Sequence, residues 1–166
     1  MPGVLVIGSG GAGLAAAIAA HDAGADVTLA TKLGVASCNT AKAQGGIQAA
    51  VADDDSIDTH FDDVMRSSHD TADPVLARTL VEHGPETIAW LEQLGVAFTR
   101  EGDGALRVAR CGGATRRRLL QVGDQTGLAI AGALRAAVGE RDIEVLDHAP
   151  LVELGPATAA FLQTLA

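Results

Sequence analysis

Aromatic residues are almost missing from this chain. Only 2% of its 166 residues are aromatic, with no tyrosine and a single tryptophan, whereas 48% are hydrophobic. Valine, isoleucine, leucine and alanine must therefore supply the packing of the core. Because so apolar a composition can bury a sizeable core, intrinsic disorder is excluded, and the length predicts one domain.

Positive charge is scarce as well. Twelve lysines and arginines face 21 aspartates and glutamates, which gives a net charge of −9. An acidic chain is repelled by phosphate backbones, so nucleic acid is not an expected partner. Arg116, Arg117 and Arg118, with Arg107 and Arg110 nearby, form a local exception. We interpret this cluster as a solvated loop or a contact for a protein partner.

Cysteines and long apolar runs are few. Cys38 and Cys111 form no CxxC pattern, so the sequence predicts no disulfide framework and favours a reducing, cytoplasmic location. Val4 to Ala20 has no basic start and is broken by glycines, unlike a signal peptide. No uninterrupted run approaches the ~18 apolar residues that a membrane-spanning helix needs. We therefore expect no membrane span.

The first third of the chain has the pattern of a βαβ unit. Val4–Ile7 is a short apolar run, typical of a strand buried on both faces of a parallel sheet. The Ala-rich segment Leu14–Ala23 predicts a helix that ends at Gly24. Asp26–Ala30 predicts a second strand. Strand, glycine turn, helix and strand in this order are the parts of a nucleotide-binding βαβ unit.

The middle of the chain is predicted to be mostly helical. Asp73 followed by Pro74 is a helix start, because aspartate caps and proline favours the first helical position. Gly84-Pro85 restarts the helix, which continues to Gly95. The apolar residues that give the helical spacing are Ile57, Phe61, Val64, Met65, Leu76, Leu80, Val81, Ile88, Leu91 and Leu94.

The last third mixes turns, strands and one more helix. Val96–Thr99 predicts a strand, and Asp103-Gly104 is typical of a hairpin turn. Thr126 is expected to cap a helix, and Glu144–Leu146 and Leu151–Leu154 are expected to be short strands. The predicted face of that helix contains Ile130, Ala133, Leu134 and Val138. The fold class is α/β: a Rossmann-like fold with a parallel sheet and a mostly helical middle insertion.

The glycine turn after the first strand carries the strongest chemical signal. Gly8, Gly10 and Gly13 fit the GxGxxG pattern. The first glycine makes the turn, the second lets the backbone approach a pyrophosphate, and the third lets helix and strand pack closely. The helix N terminus then offers N–H groups and a positive dipole end to the phosphates. A glycine-rich turn in an unrelated α/β protein is the alternative.

The end of the second predicted strand departs from the usual dinucleotide pattern. An aspartate or glutamate commonly binds the ribose hydroxyls there. This chain has Thr31 followed by Lys32. The loss of the acidic ribose anchor shifts the expected cofactor from NAD toward FAD, although a small NAD-binding Rossmann protein remains an alternative.

Longer segments resemble one flavoprotein family. They are Thr31-Lys32-Leu33, the stretch Asn39–Ile47 with its AQGGI core, Asp58, His60 and Asp63, the LEQLGVAF segment Leu91–Phe98, Gly112-Gly113, and Asp124–Gly127. On these residues the chain resembles the flavoprotein subunits of succinate dehydrogenase and fumarate reductase, and L-aspartate oxidase. The resemblance assigns residues 1–154 to the FAD-binding domain and leaves 155–166 as a divergent tail.

The resemblance implies how FAD is bound. Residues Ser9 to Ala12 would contact the pyrophosphate, Thr31 and Lys32 would lie near the adenosine ribose, and Asn39 to Gly46 would run beside the isoalloxazine ring. The implied cofactor-binding residues are Gly8, Ser9, Gly10, Gly11, Ala12, Gly13, Thr31, Lys32, Asn39, Thr40, Ala41, Lys42, Ala43, Gln44, Gly45 and Gly46. Gly45 and Gly46 would leave room for the ring or a substrate.

Asn39 stands where respiratory members of that family attach FAD through a histidine, so non-covalent FAD is expected. The histidines are His21, His60, His69, His83 and His148, and surface or helix-capping roles are expected for them rather than metal binding.

The resemblance also implies an activity. An intact member moves hydride between a dicarboxylate or amino-acid carbon and flavin N5. The family's substrate-binding and acid/base residues belong to a capping domain, and we expect the fold to be truncated before it. We therefore expect no catalytic residue and no metal site in this chain. A non-catalytic flavin-binding module, or one subunit of a split enzyme with a partner subunit, is the alternative function.

Overall fold

A computed structural model describes residues 3–69 and 71–153. They sort into two compact units. The first takes in the described residues of Met1–Asn39 and Leu134–Ala166, and the second is Thr40–Ala133. In chain order, the elements are β1 (Gly3–Ile7), α1 (Gly11–Asp22), β2 (Asp26–Ala30), α2 (Asn39–Lys42), β3 (Ile47–Gln48), α3 (Ile57–Ser67), α4 (Pro74–Glu82), α5 (Gly84–Gln93), β4 (Leu119–Leu120), α6 (Thr126–Gly139) and β5 (Ile143–Leu146).

The first unit is built on a parallel sheet of three strands in the order β1-β2-β5. Gly3 pairs with Asp26 and Val27 with Ile143, so β2 is the central strand. Its side chains Val27 and Leu29 are buried. The α/β class and the βαβ unit predicted from the sequence are therefore confirmed, and β2 has the predicted bounds.

The prediction that β1 is buried on both faces is wrong for the residues that the structure describes. Leu5 is 59% exposed and Ile7 45% exposed, whereas Val4 and Val6 are half-buried. The reason is that β1 is an edge strand of this sheet and has α1 on one side only. Val6 faces that helix, since its Cγ1 is 3.7 Å from the position that a Cβ on Gly13 would take.

Helix α1 begins earlier than predicted and, as predicted, ends just before Gly24. It starts at Gly11 rather than at Leu14, and Leu14, Ala17 and Ile18 form its buried face. Gly24 follows with φ +87°, a conformation that glycine adopts without strain. Its N–H donates to the carbonyl of His21 at 2.8 Å, which closes the end of the helix.

The predicted start of α4 is confirmed, whereas its predicted apolar face is confirmed only at Val81. An Asp73 carboxylate oxygen accepts from the N–H of Val75 at 2.8 Å, as an N-cap does. The buried residues are Ala77 and Val81, while Leu76 and Leu80 are largely exposed. Residues 77 and 81 lie one helical turn apart on the face that packs, so the neighbouring leucines point away from it.

The hairpin turn is confirmed, whereas Val96–Thr99 is not a strand. Gly104 has φ +90°, and an isolated antiparallel bridge joins Arg100 to Leu106 around it. The second unit instead has an antiparallel pair, β3 with β4, in which Ile47 pairs with Leu120. This pair was missed because each strand has only two residues, too few to show a period.

The last predicted elements are partly confirmed. A helix begins at Thr126, but the Thr126 hydroxyl accepts from the N–H of Val122 at 3.0 Å and so closes the preceding turn. Ile130 and Ala133 are half-buried, while Leu134 and Val138 are buried.

Strand β5 contains the predicted segment Glu144–Leu146, whereas residues 151–153 form no strand. Leu154 and the predicted tail 155–166 lie outside the described residues. None of the helices described for the chain is long and apolar enough to cross a membrane.

Gly13 should tolerate no side chain. A Cβ there would lie 1.8 Å from the carbonyl oxygen of Gly8, so strand and helix would have to separate. We expect Gly13→Ala to lower the free energy of unfolding by ~1–3 kcal/mol or more, and urea denaturation measures this change. Gly132→Ala is the control, because it lies inside α6 with no atom within 4 Å of an added Cβ. It should be neutral or up to ~1 kcal/mol more stable. Equal stability of the two variants would contradict this account.

Candidate functional site

The glycine turn between β1 and α1 is held in one conformation by its glycines and by a backbone hydrogen bond. Gly8 has φ +107°, and its N–H donates to the carbonyl of Ala30 at 2.8 Å, which fixes the turn. Gly10, the N-cap residue of α1, has no side chain with which to cap the helix, and no acidic residue lies in the first turn. Such a helix N terminus favours an anion through its N–H groups and its dipole.

Ser9 and Thr31 join this turn to the end of β2. Both side chains are buried, and their hydroxyl oxygens are 2.9 Å apart. The Thr31 N–H donates to Leu146 and the Thr31 carbonyl accepts from Ala149, each at 2.9 Å. Thr31 therefore connects the glycine turn to the segment around β5. The neutral Thr31 hydroxyl, hydrogen-bonded to Ser9, stands where the dinucleotide pattern commonly has a carboxylate.

A cavity of about 330 Å³ lies beside these groups within the first unit. This volume falls in the range of ligand pockets, about 300–1,000 Å³. Its lining residues are Ile7, Gly8, Ser9, Gly10, Ala30, Thr31, Lys32, Ser37, Cys38, Ala149, Pro150 and Leu151. The structure thus brings together the predicted residues Gly8, Ser9, Gly10, Thr31 and Lys32. Lys32, which is exposed, is the one charged residue among them.

Asn39 ends the first unit, and the predicted residues Thr40 to Gly46 open the second. Asn39 to Lys42 form α2, and Ala43 to Gly46 continue as an exposed segment. Gly127 secures this segment, since its N–H donates to the Ala43 carbonyl at 2.9 Å. A Cβ on Gly127 would lie 2.0 Å from the carbonyl oxygen of Thr40, so a glycine is required there.

The surrounding structure leaves no room for a side chain at Gly46 but does leave room for one at Gly45. A Cβ on Gly46 would lie 2.5 Å from the carbonyl oxygen of Leu120, and Gly46 has φ +144°. Gly46 is therefore required by the β3–β4 pair itself. No atom lies within 4 Å of a Cβ added to Gly45, so the structure itself does not require a glycine there.

Arg118 overturns part of our interpretation of the arginine cluster. Arg116 and Arg117 are exposed, as predicted, but Arg118 is 0% exposed. Its Nε and Nη2 each donate to a different oxygen of Asp55 at 2.7 Å, and its Nη1 donates to Asp63 at 2.7 Å. This is a bidentate charge-assisted pair with a second carboxylate added. Arg118 is therefore a core residue and not part of a solvated loop.

Asp63 is the most heavily hydrogen-bonded carboxylate of this network. It accepts from the N–H of Thr115 at 2.8 Å, from the Thr115 hydroxyl at 3.0 Å, and from Arg66 and Arg118. Burial alone would raise the pKa of Asp63, but these hydrogen bonds outweigh it and hold the pKa well below its usual range. Burial would also raise the pKa of Asp55, but the hydrogen bonds from Arg118 outweigh this effect and lower it. Both carboxylates are ionised at neutral pH.

His60 also departs from its predicted role. Its residue surface is 4% exposed, and its Nδ1 atom has no hydrogen-bond partner among the described residues. Burial lowers the pKa of His60, and the charge of Arg118 lowers it further, which favours the neutral ring. His60 and Asp63 line a small cavity of about 120 Å³ next to Gly112 and Gly113. A surface or capping role is therefore wrong for this histidine.

A weak signal for the buried network was present in the sequence. Residues 118 and 120 lie on the same side of an extended segment, because side chains alternate along it. Leu120 is fully buried, and so is Arg118. On α3, His60 and Asp63 are three residues apart and share one face. The alternation of side chains along an extended segment therefore predicts that Arg118 is buried while Arg117 is exposed, which the density of charge does not.

Replacing Arg118 should be costly, whereas replacing its neighbour should not. Arg118→Met would leave Asp55 and Asp63 buried without their cation, so we expect the free energy of unfolding to fall by about 3–5 kcal/mol. Arg117→Met removes the same charge from an exposed position and should stay within about 0.5 kcal/mol of the parent. Urea denaturation near neutral pH measures both. An Arg118→Met chain as stable as the Arg117→Met chain would show that the network contributes no net stability.

The comparisons with known proteins agree with this geometry. Residues 3–165 match the FAD binding domain family. The chain is 40% identical over 155 residues to one of the subunits of the fumarate reductase (CoM/CoB) of Methanothermobacter marburgensis, covering 91% of this chain and 28% of that protein. It is 36% identical over 152 residues to the L-aspartate oxidase of Streptomyces coelicolor, covering 91% of this chain and 26% of that protein.

A solved structure gives the same result. The fold superposes on the quinol fumarate reductase of E. coli with a TM-score of 0.83 and 30% identity, covering 89% of this chain and 26% of that one. The chain thus spans about a quarter of the length of the relatives it matches. The predicted resemblance to the succinate dehydrogenase, fumarate reductase and L-aspartate oxidase flavoproteins is confirmed. This chain therefore belongs to the FAD binding domain family, and FAD is its cofactor.

Proposed function

We propose that this chain is the FAD-binding part of a flavoprotein oxidoreductase that acts on a dicarboxylate or an amino acid, of the succinate/fumarate or L-aspartate type. The observation that carries the proposal is the cavity where the glycine turn, Thr31 and Lys32 meet. It lies at the carboxyl ends of β1 and β2, where parallel sheets of this kind bind their ligands. The relatives, a fumarate reductase and an L-aspartate oxidase, support the substrate class.

The residues of the first unit fit the ADP part of FAD. In our proposal the pyrophosphate lies at Ser9 to Ala12, since the dipole of α1 places partial positive charge at this end of the helix. Thr31 and Lys32 lie near the adenosine ribose. The Lys32 ammonium would favour the negative charge of the pyrophosphate, because the described residues that line the cavity include no acidic one.

The residues Asn39 to Gly46 are proposed to run beside the isoalloxazine ring. The open space at Gly45 supports this assignment, because a backbone without side chains lets a flat ring approach. When bound, the flavin supplies the hydride chemistry at N5. The residues of this chain bind and orient it, and we assign none of them to proton transfer. Substrate contacts, and any partner subunit, belong to the whole protein and form part of the same proposal.

We further propose that FAD is held non-covalently and that the protein is cytoplasmic. The support for the first is Asn39 at the position of the family's flavin-linking histidine. The support for the second is the pair of cysteines, Cys38 and Cys111, which are free thiols.

The test is the visible absorption spectrum of the chain after incubation with FAD and removal of the excess. We expect flavin absorbance on the protein, and free FAD in the supernatant after acid precipitation. Flavin that stays with the precipitate would contradict non-covalent binding. NADH is the competing ligand: tight binding of NADH by a chain that takes up no FAD would favour the NAD-binding alternative.

Cys38 reports directly on the proposed ADP position. It lines the cavity with Ser9 and Thr31, whereas Cys111 does not, and both thiols are half-buried. We expect bound FAD, and also ADP, to slow the alkylation of Cys38 at least severalfold without changing the rate at Cys111. Peptide mass spectrometry after timed labelling with iodoacetamide measures the two rates in one sample. Equal protection of the two cysteines, or protection of neither, would place the nucleotide elsewhere.

A further inference from the structure

Strand β4 restrains the position of the segment Ala43–Gly46, which we call the AQGG segment. The segment leads into β3, where Ile47 pairs with Leu120. The N–H of Ala49 donates to the carbonyl of Arg118 at 3.1 Å, which extends the contact between the two chain segments. The buried Arg118 side chain fixes the start of β4 through Asp55 and Asp63. The AQGG segment is thus attached to an element that cannot shift without disturbing a buried charge.

Gln121, the residue after β4, makes the one side-chain hydrogen bond that reaches the AQGG segment itself in the described structure. Its Nε2 donates to the carbonyl oxygen of Gly45 at 2.7 Å. The Gln121 backbone is held in turn, because its own carbonyl accepts from the N–H of Thr99 at 2.8 Å. The amide group therefore approaches Gly45 from a fixed direction.

This hydrogen bond decides which way the Gly45–Gly46 peptide faces. A trans peptide is planar, and its C=O and N–H point in opposite directions. With the Gly45 carbonyl held by Gln121, the Gly46 N–H is directed to the side away from Gln121. Gly45 has no Cβ contact to restrain it, so without the bond this peptide could rotate more freely. In a fraction of the molecules, a carbonyl oxygen rather than an N–H group would then face a flavin ring beside the segment.

We infer that Gln121 is a positioning residue for FAD, which orients the Gly45–Gly46 peptide so that a hydrogen-bond donor and not an acceptor is presented to the cofactor. The inference rests on the proposed function, in which the AQGG segment lies beside the isoalloxazine ring. Donors and charges near the ring tune the electronics of a flavin, so the orientation affects reduction as well as binding. Gln121 touches the peptide rather than the cofactor and is not a catalytic residue.

The experiment compares two changes at Gln121 with a matched control. Gln121→Met keeps the length and removes the donor, and Gln121→Glu replaces the donor with an acceptor that repels the Gly45 carbonyl. Gln93→Met makes the same substitution at an exposed position at the end of α5. Affinities for FAD and for ADP are measured for the full chain, together with the flavin spectrum, the midpoint potential and the urea midpoint.

We expect Gln121→Met to weaken FAD about fivefold, the loss of about one hydrogen bond, and Gln121→Glu to weaken it more. ADP affinity should stay unchanged in both, because ADP lacks the ring. The flavin spectrum should shift and the midpoint potential should fall, while Gln93→Met leaves all readouts as in the parent.

Any of the following results would overturn the inference. The first is equal FAD affinity, spectrum and potential in parent and Gln121 variants. The second is a parallel loss of FAD and ADP affinity together with a lower urea midpoint, which would mark a merely structural role. A parent chain that binds ADP and FAD equally would also refute it, since the segment would then contribute nothing to ring binding. A parent chain that binds neither ligand would instead contradict the proposed function, and the inference with it.

Discussion

The second unit depends on one buried guanidinium. Arg118 cannot lose its proton at any ordinary pH, so it cannot avoid the cost of burial by becoming neutral. Asp55 and Asp63 balance this charge, and the hydrogen bonds that they accept lower their pKa values, which favours the ionised carboxylates. The three residues come from the segment before α3, from α3 itself and from the segment before β4. One charge thus holds together parts of the chain that lie 55 and 63 residues apart.

That constraint reaches the proposed cofactor segment through the backbone. Arg118 is followed directly by β4, whose carbonyl at Leu120 lies so close to Gly46 that no Cβ would fit. Gln121 then donates to Gly45. The side chain that carries the buried charge and the side chain that orients the peptide are therefore three residues apart. A rigid support of this kind is what a binding site needs if its backbone groups are to face a ligand in one direction only.

The sequence was a good guide where structure is local. The βαβ unit, the cap at Asp73 and the turn at Gly104 each depend on residues within a few positions, and each was predicted. Arg118 was misjudged because its partners are far away in sequence, and charge density says nothing about them. The exposure of Leu5 depends on the position of its strand in the sheet, which periodicity alone does not give. For the site, the sequence predicted the glycine turn and Thr31 but not the hydrogen bond from Gln121.

The hydroxyl pair of Ser9 and Thr31 suits the site that we propose for an anion in this acidic chain. An aspartate at position 31 would lie buried beside Ser9 and would place a negative charge against the cavity. Thr31 makes the same connection with a neutral hydrogen bond to Ser9. Among the described residues Lys32 is then the one charge that lines the cavity, and the N terminus of α1 adds its positive dipole end. The net charge of −9 acts over longer distances, where salt screens it, so it does not oppose a pyrophosphate at the site that we propose.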